Sequence, residues 1–144
     1  MIVQETADAR TDVRHVWQSF TAVEDWPKWT RSITTVQWLD DGPIRVGKRA
    51  RVKQPSVPTM VWQVTDMQED SEFTWANRSL GCTTIARHKV RPNDDGTVRI
   101  TLEIERTGPM AWFVDAVSAR LTKRYLVMEA AGHKAAGEAG AGQG

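Results

Sequence analysis

The chain has 144 residues, enough for one compact domain with a sizeable core and too few for two ordinary ones. Its 19 basic and 18 acidic side chains nearly cancel, which argues against a dedicated nucleic-acid binder, a class that carries a clear basic excess. No apolar run approaches the roughly 18 residues of a membrane span, and the N-terminal MIVQETADAR lacks the charged-then-apolar layout of an export signal, so a cytoplasmic location is expected.

A single cysteine, Cys82, rules out an internal disulfide and fits a reducing compartment. Seven tryptophans stand against three phenylalanines and one tyrosine. Each indole can bury about 150–250 Å². So many large flat groups suit either the wall of a cavity or a tryptophan-rich core.

Residues 2–8 alternate weakly and read as a strand. Thr11 or Asp12 can cap a helix whose apolar positions are Val13, Val16, Trp17 and Phe20. Pro27 cannot continue that helix but suits the first turn of a short second one after Asp25, so DWPKWT reads as a corner between helices. From residue 33 the period changes to two. Segments 33–40, 49–54, 60–67, 73–78, 83–90 and 98–105 read as strands joined by turn-rich sequence, with Asn93-Asp94-Asp95-Gly96 closing a hairpin. Such a run means an antiparallel meander. Gly108-Pro109 ends the sheet. A helix follows, with Phe113, Val117, Leu121, Tyr125 and Met128 on one stripe.

The expected fold class is therefore α+β: a curved antiparallel sheet of about seven strands around a long C-terminal helix, with two short helices after the first strand. Residues 1–137 form one domain in this reading. Residues 138–144, rich in Ala and Gly, are expected to be a flexible tail.

Alternation assigns the inner faces. Val98, Ile100, Leu102 and Ile104 point inward on the last strand, and Met60, Trp62 and Val64 do so earlier, with Asp66 continuing that face. Phe73, Trp75 and Asn77 form a third inward set, and Thr84, Ala86, His88 and Val90 a fourth. His88 then lies among tryptophans, either as a hydrogen-bonded core residue or as a polar handle able to act as acid or base. Asp66 and Asn77 are further inward polar candidates, or caps at strand ends.

The stretches VWQSFTAVEDWPKWTRSI, VWQVTDMQEDSEFTWANRS and ARHKVRPNDDGTVRITLEIERTGP, followed by the helix from Pro109, resemble the polyketide cyclase/dehydrase group of the START-like (SRPBCC) superfamily. The resemblance lies in their order and spacing across residues 13–135. It implies the helix-grip fold, with an apolar cavity between sheet and C-terminal helix, and it supports His88 as cavity-facing. The expected wall is Met60, Trp62, Val64, Phe73, Trp75, Asn77, Thr84, Ala86, Ile100 and Leu102 from the sheet, with Trp17 and Trp29 from the helical corner. The long helix adds Phe113, Val117, Leu121, Arg124, Tyr125 and Met128. Trp29 is expected to reach the cavity mouth and Trp26 to pack the corner.

Three functions compete on these residues. The first is binding of a hydrophobic or aromatic molecule that is polyketide-, lipid- or hormone-like. The second is a cofactor-independent cyclase or dehydratase using His88, with Asp66, to move protons. The third is a regulatory or nucleic-acid-binding domain using Arg49, Arg51 and Lys53, although a solvated outer face explains that stripe. His15, His88 and His133 have no ligand spacing, and none of the CxxC or HxxxH type exists, so no metal or other cofactor is expected. A monomer or homodimer fits the reading.

Overall fold

The computed structural model describes residues 2–79 and 81–143. Its elements run β1 (Ile2–Ala9), α1 (Val13–Thr21), a 3₁₀ helix (Val23–Lys28), β2 (Thr35–Trp38), β3 (Arg49–Lys53), β4 (Met60–Gln68), β5 (Glu72–Ser79), β6 (Cys82–Pro92), β7 (Val98–Thr107) and α2 (Ala111–Gln143). All neighbouring strands pair antiparallel in one sheet, in the order β1-β7-β6-β5-β4-β3-β2. β2 to β7 is thus a meander, and the first strand returns to the edge of the last.

Local chemistry explains the joints. The Asp12 side chain accepts the His15 backbone N–H at 2.9 Å and caps α1. The second helical segment is 3₁₀ and starts at Val23, earlier than expected, with Pro27 inside it. Between β6 and β7 the Asn93 N–H donates to the Thr97 carbonyl at 2.8 Å, and Gly96 takes φ +87°.

α2 lies across β1, β7, β6 and α1. Phe20, Phe73, Ile100 and Leu102 are fully enclosed between α1, the sheet and α2. The helix continues through Gln143, over residues whose composition suggested a tail; Gly144 lies outside the described residues. The reason is contact through small residues. A Cβ at Gly132 would stand 2.5 Å from the Trp29 carbonyl oxygen, and one at Gly137 would stand 3.0 Å from Val16 Cγ2. Glycine here lets α2 approach the corner and α1 closely, and the Arg10 N–H ties it further by donating to Glu138 Oε2 at 2.8 Å.

No helix among the described residues is long and apolar enough to cross a membrane. On β3, Arg49 and Arg51 are exposed while Ala50 and Val52 are buried. Arg49 is bound to Asp40 at 3.0 Å, and Lys48 is buried with its ammonium 4.1 Å from the centre of the Trp38 ring. On the same outer face Arg87 and Lys89 pair with Glu103 and Glu105. The basic stripe is therefore interrupted by carboxylates and does not form a continuous cationic surface.

Candidate functional site

The sheet and α2 do not fill the space between them everywhere. Between α2 and strands β3 to β7 they enclose a cavity of about 390 Å³, within the usual range for small-molecule pockets. Its sheet wall comes from side chains two residues apart on successive strands: Met60 and Trp62, then Trp75 and Asn77, then Thr84, Ala86 and His88, then Ile104 and Arg106. Val114, Val117, Ser118, Leu121, Thr122, Tyr125, Leu126 and Glu129 of α2 face them. The loop after β3 forms a lip through Gln54, Ser56, Val57 and Pro58. That lip is fastened, because the Tyr125 hydroxyl donates to the Pro55 carbonyl and the Val57 N–H donates to the Gln54 carbonyl at 3.2 Å.

Three indoles form one side. Trp75 stands with its ring centre 5.7 Å from Trp62 and 5.3 Å from Trp26. Trp26 is buried and donates from Nε1 to the Ser19 carbonyl at 2.9 Å. The two tryptophans of DWPKWT thus exchange their expected places. Trp26 reaches the cavity, whereas Trp29 lies beneath Gly132 with its Nε1 buried and unpartnered among the described residues. The 3₁₀ helix starting at Val23 sets which ring turns inward.

His88 is buried in this wall and stacks on Phe73, with ring centres 4.2 Å apart and planes 7° from parallel. Its Nδ1 lies 3.3 Å from the Phe73 carbonyl. A carbonyl can only accept, so Nδ1 carries the proton and Nε2 of the neutral ring is the remaining acceptor. Burial pushes the imidazole down to about 4, against the opposing pull of the Phe73 hydrogen bond. A ring so hard to protonate acts as a hydrogen-bond acceptor near neutral pH and is a weak base.

Glu129, which the sequence reading passed over, is the second polar group. Ser32 Oγ and Gln54 Nε2 each donate to its Oε1 at 3.4 Å, the long end of the hydrogen-bond range. Protein surrounds the carboxyl, but part of its surface opens onto the cavity. Desolvation raises it to about 7, outweighing the Ser32 hydrogen bond.

Arg106 is the third. It is held by Asp115 at 3.0 Å and by the Thr122 hydroxyl at 2.9 Å, while its buried Nε has no hydrogen-bond partner among the described residues.

Several expected wall residues lie elsewhere. Asp66 is exposed on the outer face of the sheet, since a register shift between Val64 and Asp66 inserts one residue and reverses the alternation. Trp17, Val64, Phe73, Ile100 and Leu102 are buried in the packed core; Trp17 sits edge-on to Phe73 at 6.4 Å. Phe113 is 46% exposed, and neither Arg124, which is exposed, nor Met128 borders the cavity. The helix turns a stripe toward the cavity that includes Ser118, Thr122 and Glu129. Val117, Leu121 and Tyr125 of the apolar stripe share that face, while its ends, Phe113 and Met128, lie off it. The inward cation comes from Arg106 on β7, while Arg120 and Arg124 face solvent. His133, which no local spacing singles out, is 2% exposed, with Nδ1 2.6 Å from Ser19 Oγ. Among the described residues no three His, Cys, Asp or Glu side chains cluster as a metal site would require.

A seven-stranded grip around one long helix, with a cavity between them, is also the architecture of known proteins. The sequence model of the family described as polyketide cyclase/dehydrase and lipid transport matches residues 1–138. The chain belongs to that family. It resembles a START superfamily protein from Mycobacterium smegmatis, with 14% identity, a TM-score of 0.67 and coverage of 99% of this chain and 97% of that one. It also resembles Ara h 8.0201, with 11% identity, a TM-score of 0.69 and coverage of 94% and 97%. The di-domain ARO/CYC StfQ from the steffimycin biosynthetic pathway matches at 15% identity and a TM-score of 0.69, over 94% of this chain and 44% of StfQ. At these identities the structural likenesses establish the helix-grip fold. No curated protein sequence matches the chain.

Proposed function

We propose that this protein binds an apolar, aromatic small molecule in the cavity between the sheet and α2. The observation that carries this reading is the wall of three indoles, Trp26, Trp62 and Trp75, beside about 390 Å³ of unfilled space. Large flat groups left beside a void forgo dispersion contacts that a flat ligand restores. Membership in a family of cyclases and lipid transporters supports the same use. Titration with neutral aromatics such as 2-naphthol should shift or quench tryptophan fluorescence with saturation. Native mass spectrometry should show a one-to-one complex. No saturable response across neutral aromatics and fatty alcohols would refute the reading.

A second reading is a cyclase or dehydratase acting on such a ligand. It is favoured by Glu129, whose carboxyl at about 7 is matched to proton transfer near neutral pH, better than His88 at about 4. A single-turnover assay with a poly-β-ketone surrogate separates the readings, since turnover that vanishes in Glu129→Gln while binding persists requires an enzyme.

A further inference from the structure

The polar groups of the cavity are sorted by sign. Register places Asn77 opposite Thr84 and Thr84 opposite Arg106, so one row across β5–β7 bears the hydrogen-bond donors of Arg106 and Asn77. His88 lies four residues from Thr84 on β6, about 13 Å along the strand. Glu129 lies seven residues beyond Thr122, the residue that holds Arg106, which is about 10 Å along α2. The cavity thus has an Arg106 end and, roughly a ligand's length away, an end occupied by Glu129 and His88.

At that second end the donors are already committed. Gln54 Nε2 serves both the Ser32 carbonyl and Glu129 Oε1. The Ser32 hydroxyl donates to Glu129, and the Tyr125 hydroxyl donates to the Pro55 carbonyl. His88 Nδ1–H is committed to Phe73. Glu129 Oε2 and His88 Nε2 are acceptors left without a hydrogen bond among the described residues, beside the unpaired Nε1–H donors of Trp62 and Trp75 on the neighbouring wall. The guanidinium of Arg106 is paired with Asp115, and among the described residues no cation forms an ion pair with Glu129. Three indoles line the same space, and an indole face attracts a cation.

We infer that the cavity selects an organic ammonium ion: a ligand with an aromatic body along Trp26, Trp62 and Trp75 and a protonated amine at Glu129 Oε2. An ammonium brings three donors and no acceptor, which suits a set of unpaired acceptors. Its charge replaces the missing partner of the buried carboxylate. A carboxylate of the same shape would meet Glu129 with like charge, and an alcohol would supply a single donor and no charge.

This inference rests on the cavity binding small molecules and deepens that reading. Its test uses the intact chain and three probes with one body: phenethylamine, 2-phenylethanol and phenylacetate, measured by calorimetry and tryptophan quenching at pH 7.5. Phenethylamine should bind about tenfold more tightly than 2-phenylethanol, the scale of a hydrogen bond to a charged carboxylate, and phenylacetate most weakly. In Glu129→Gln the amine should lose its advantage while the alcohol's affinity stays near its original value. Equal affinities for amine and alcohol in the unmodified protein, or an amine preference that survives Glu129→Gln, would overturn the inference while leaving the cavity reading intact. If 2-naphthol and 2-phenylethanol also fail to bind, both readings fall. If the variant folds poorly, the unmodified protein at pH 5.5 replaces it: there Glu129 is neutral and the amine still charged, so the amine's advantage should disappear, and its persistence would overturn the inference.

Discussion

The two ends of the grip are built from the same sheet and the same helix, yet one is solid and the other hollow. Where α1 is inserted, Phe20 packs edge-on against Phe73 at 6.5 Å and against His133 at 4.9 Å, and nothing opens between them. Beyond the reach of α1, Trp62, Trp75, Leu121 and Glu129 face each other across the cavity. The two buried histidines show the contrast in small. His133 is sealed against Ser19 in the packed end, whereas His88 stands on the boundary and lines the cavity. α1 plugs the packed end of the grip, and the cavity lies where α1 does not reach.

The largest effect that would break this division comes from the packed end. Phe20→Ala should cost about 3–5 kcal/mol in urea unfolding, the range for a fully buried aromatic, with little change in ligand affinity for the fraction that stays folded. A cost below that of a cavity-wall substitution would sink the distinction.

Next is the charge at the hollow end. Folding raises Glu129 from 4.5 to about 7, so the folded state holds this proton more tightly than the unfolded chain. Its contribution is favourable below pH 4.5 and is lost as pH rises to 7, a difference of about 3 kcal/mol. Glu129→Gln should match the unmodified protein at pH 4.5 and exceed it in stability at pH 8. The histidines run the opposite way. Burial lowers His88 to about 4 and His133 to about 3 from 6.5, so their neutral forms support the fold above pH 6.5 and fail it as pH falls below. Unfolding midpoints at pH 4.5, 6 and 8 should therefore decline more steeply with acid in Glu129→Gln, because the compensating gain from the carboxyl is gone.

A smaller effect tests the small-residue contact of α2. Gly132→Ala would press a methyl group onto the Trp29 carbonyl, a backbone atom that cannot swing aside, and should lower the melting temperature by an amount equivalent to about 1–3 kcal/mol. An unchanged or raised melting temperature would show that α2 can lift off the corner without penalty. The smallest stability effect should come from Leu121→Ala. It enlarges a space already open and should cost only about 1 kcal/mol, below the usual range for a packed leucine. Ligand affinity, read by fluorescence titration, should fall several-fold in the same variant.

Much of the architecture was legible from local chemistry. Alternation in Val98–Ile104, the Asn93–Gly96 turn and the break at Gly108-Pro109 each depend on near neighbours, and the structure follows them. The inward setting of Trp62, Trp75, Thr84, Ala86 and His88 came from the same period of two. The errors arose where a distant partner decides. Asp66 was lost to a register shift that only the pairing of β4 with β5 creates. Trp26 and Trp29 exchanged roles because the 3₁₀ turn begins at Val23. The Ala/Gly composition near the C-terminus suggested a tail from residue 138, whereas Gly132, Gly137 and Gly140 let α2 meet the corner and α1.

The sequence by itself determined the order of strands and helices, the hairpin joints and the inward faces, because periodicity and turn chemistry act over a few residues. Only the tertiary structure decided which end of the grip stays hollow, how α2 is rotated, and that Glu129 and Arg106 face the same space. Glu129 lies 75 residues from Gln54 and 97 from Ser32. No local pattern marks a carboxyl that becomes special only when packing removes its water.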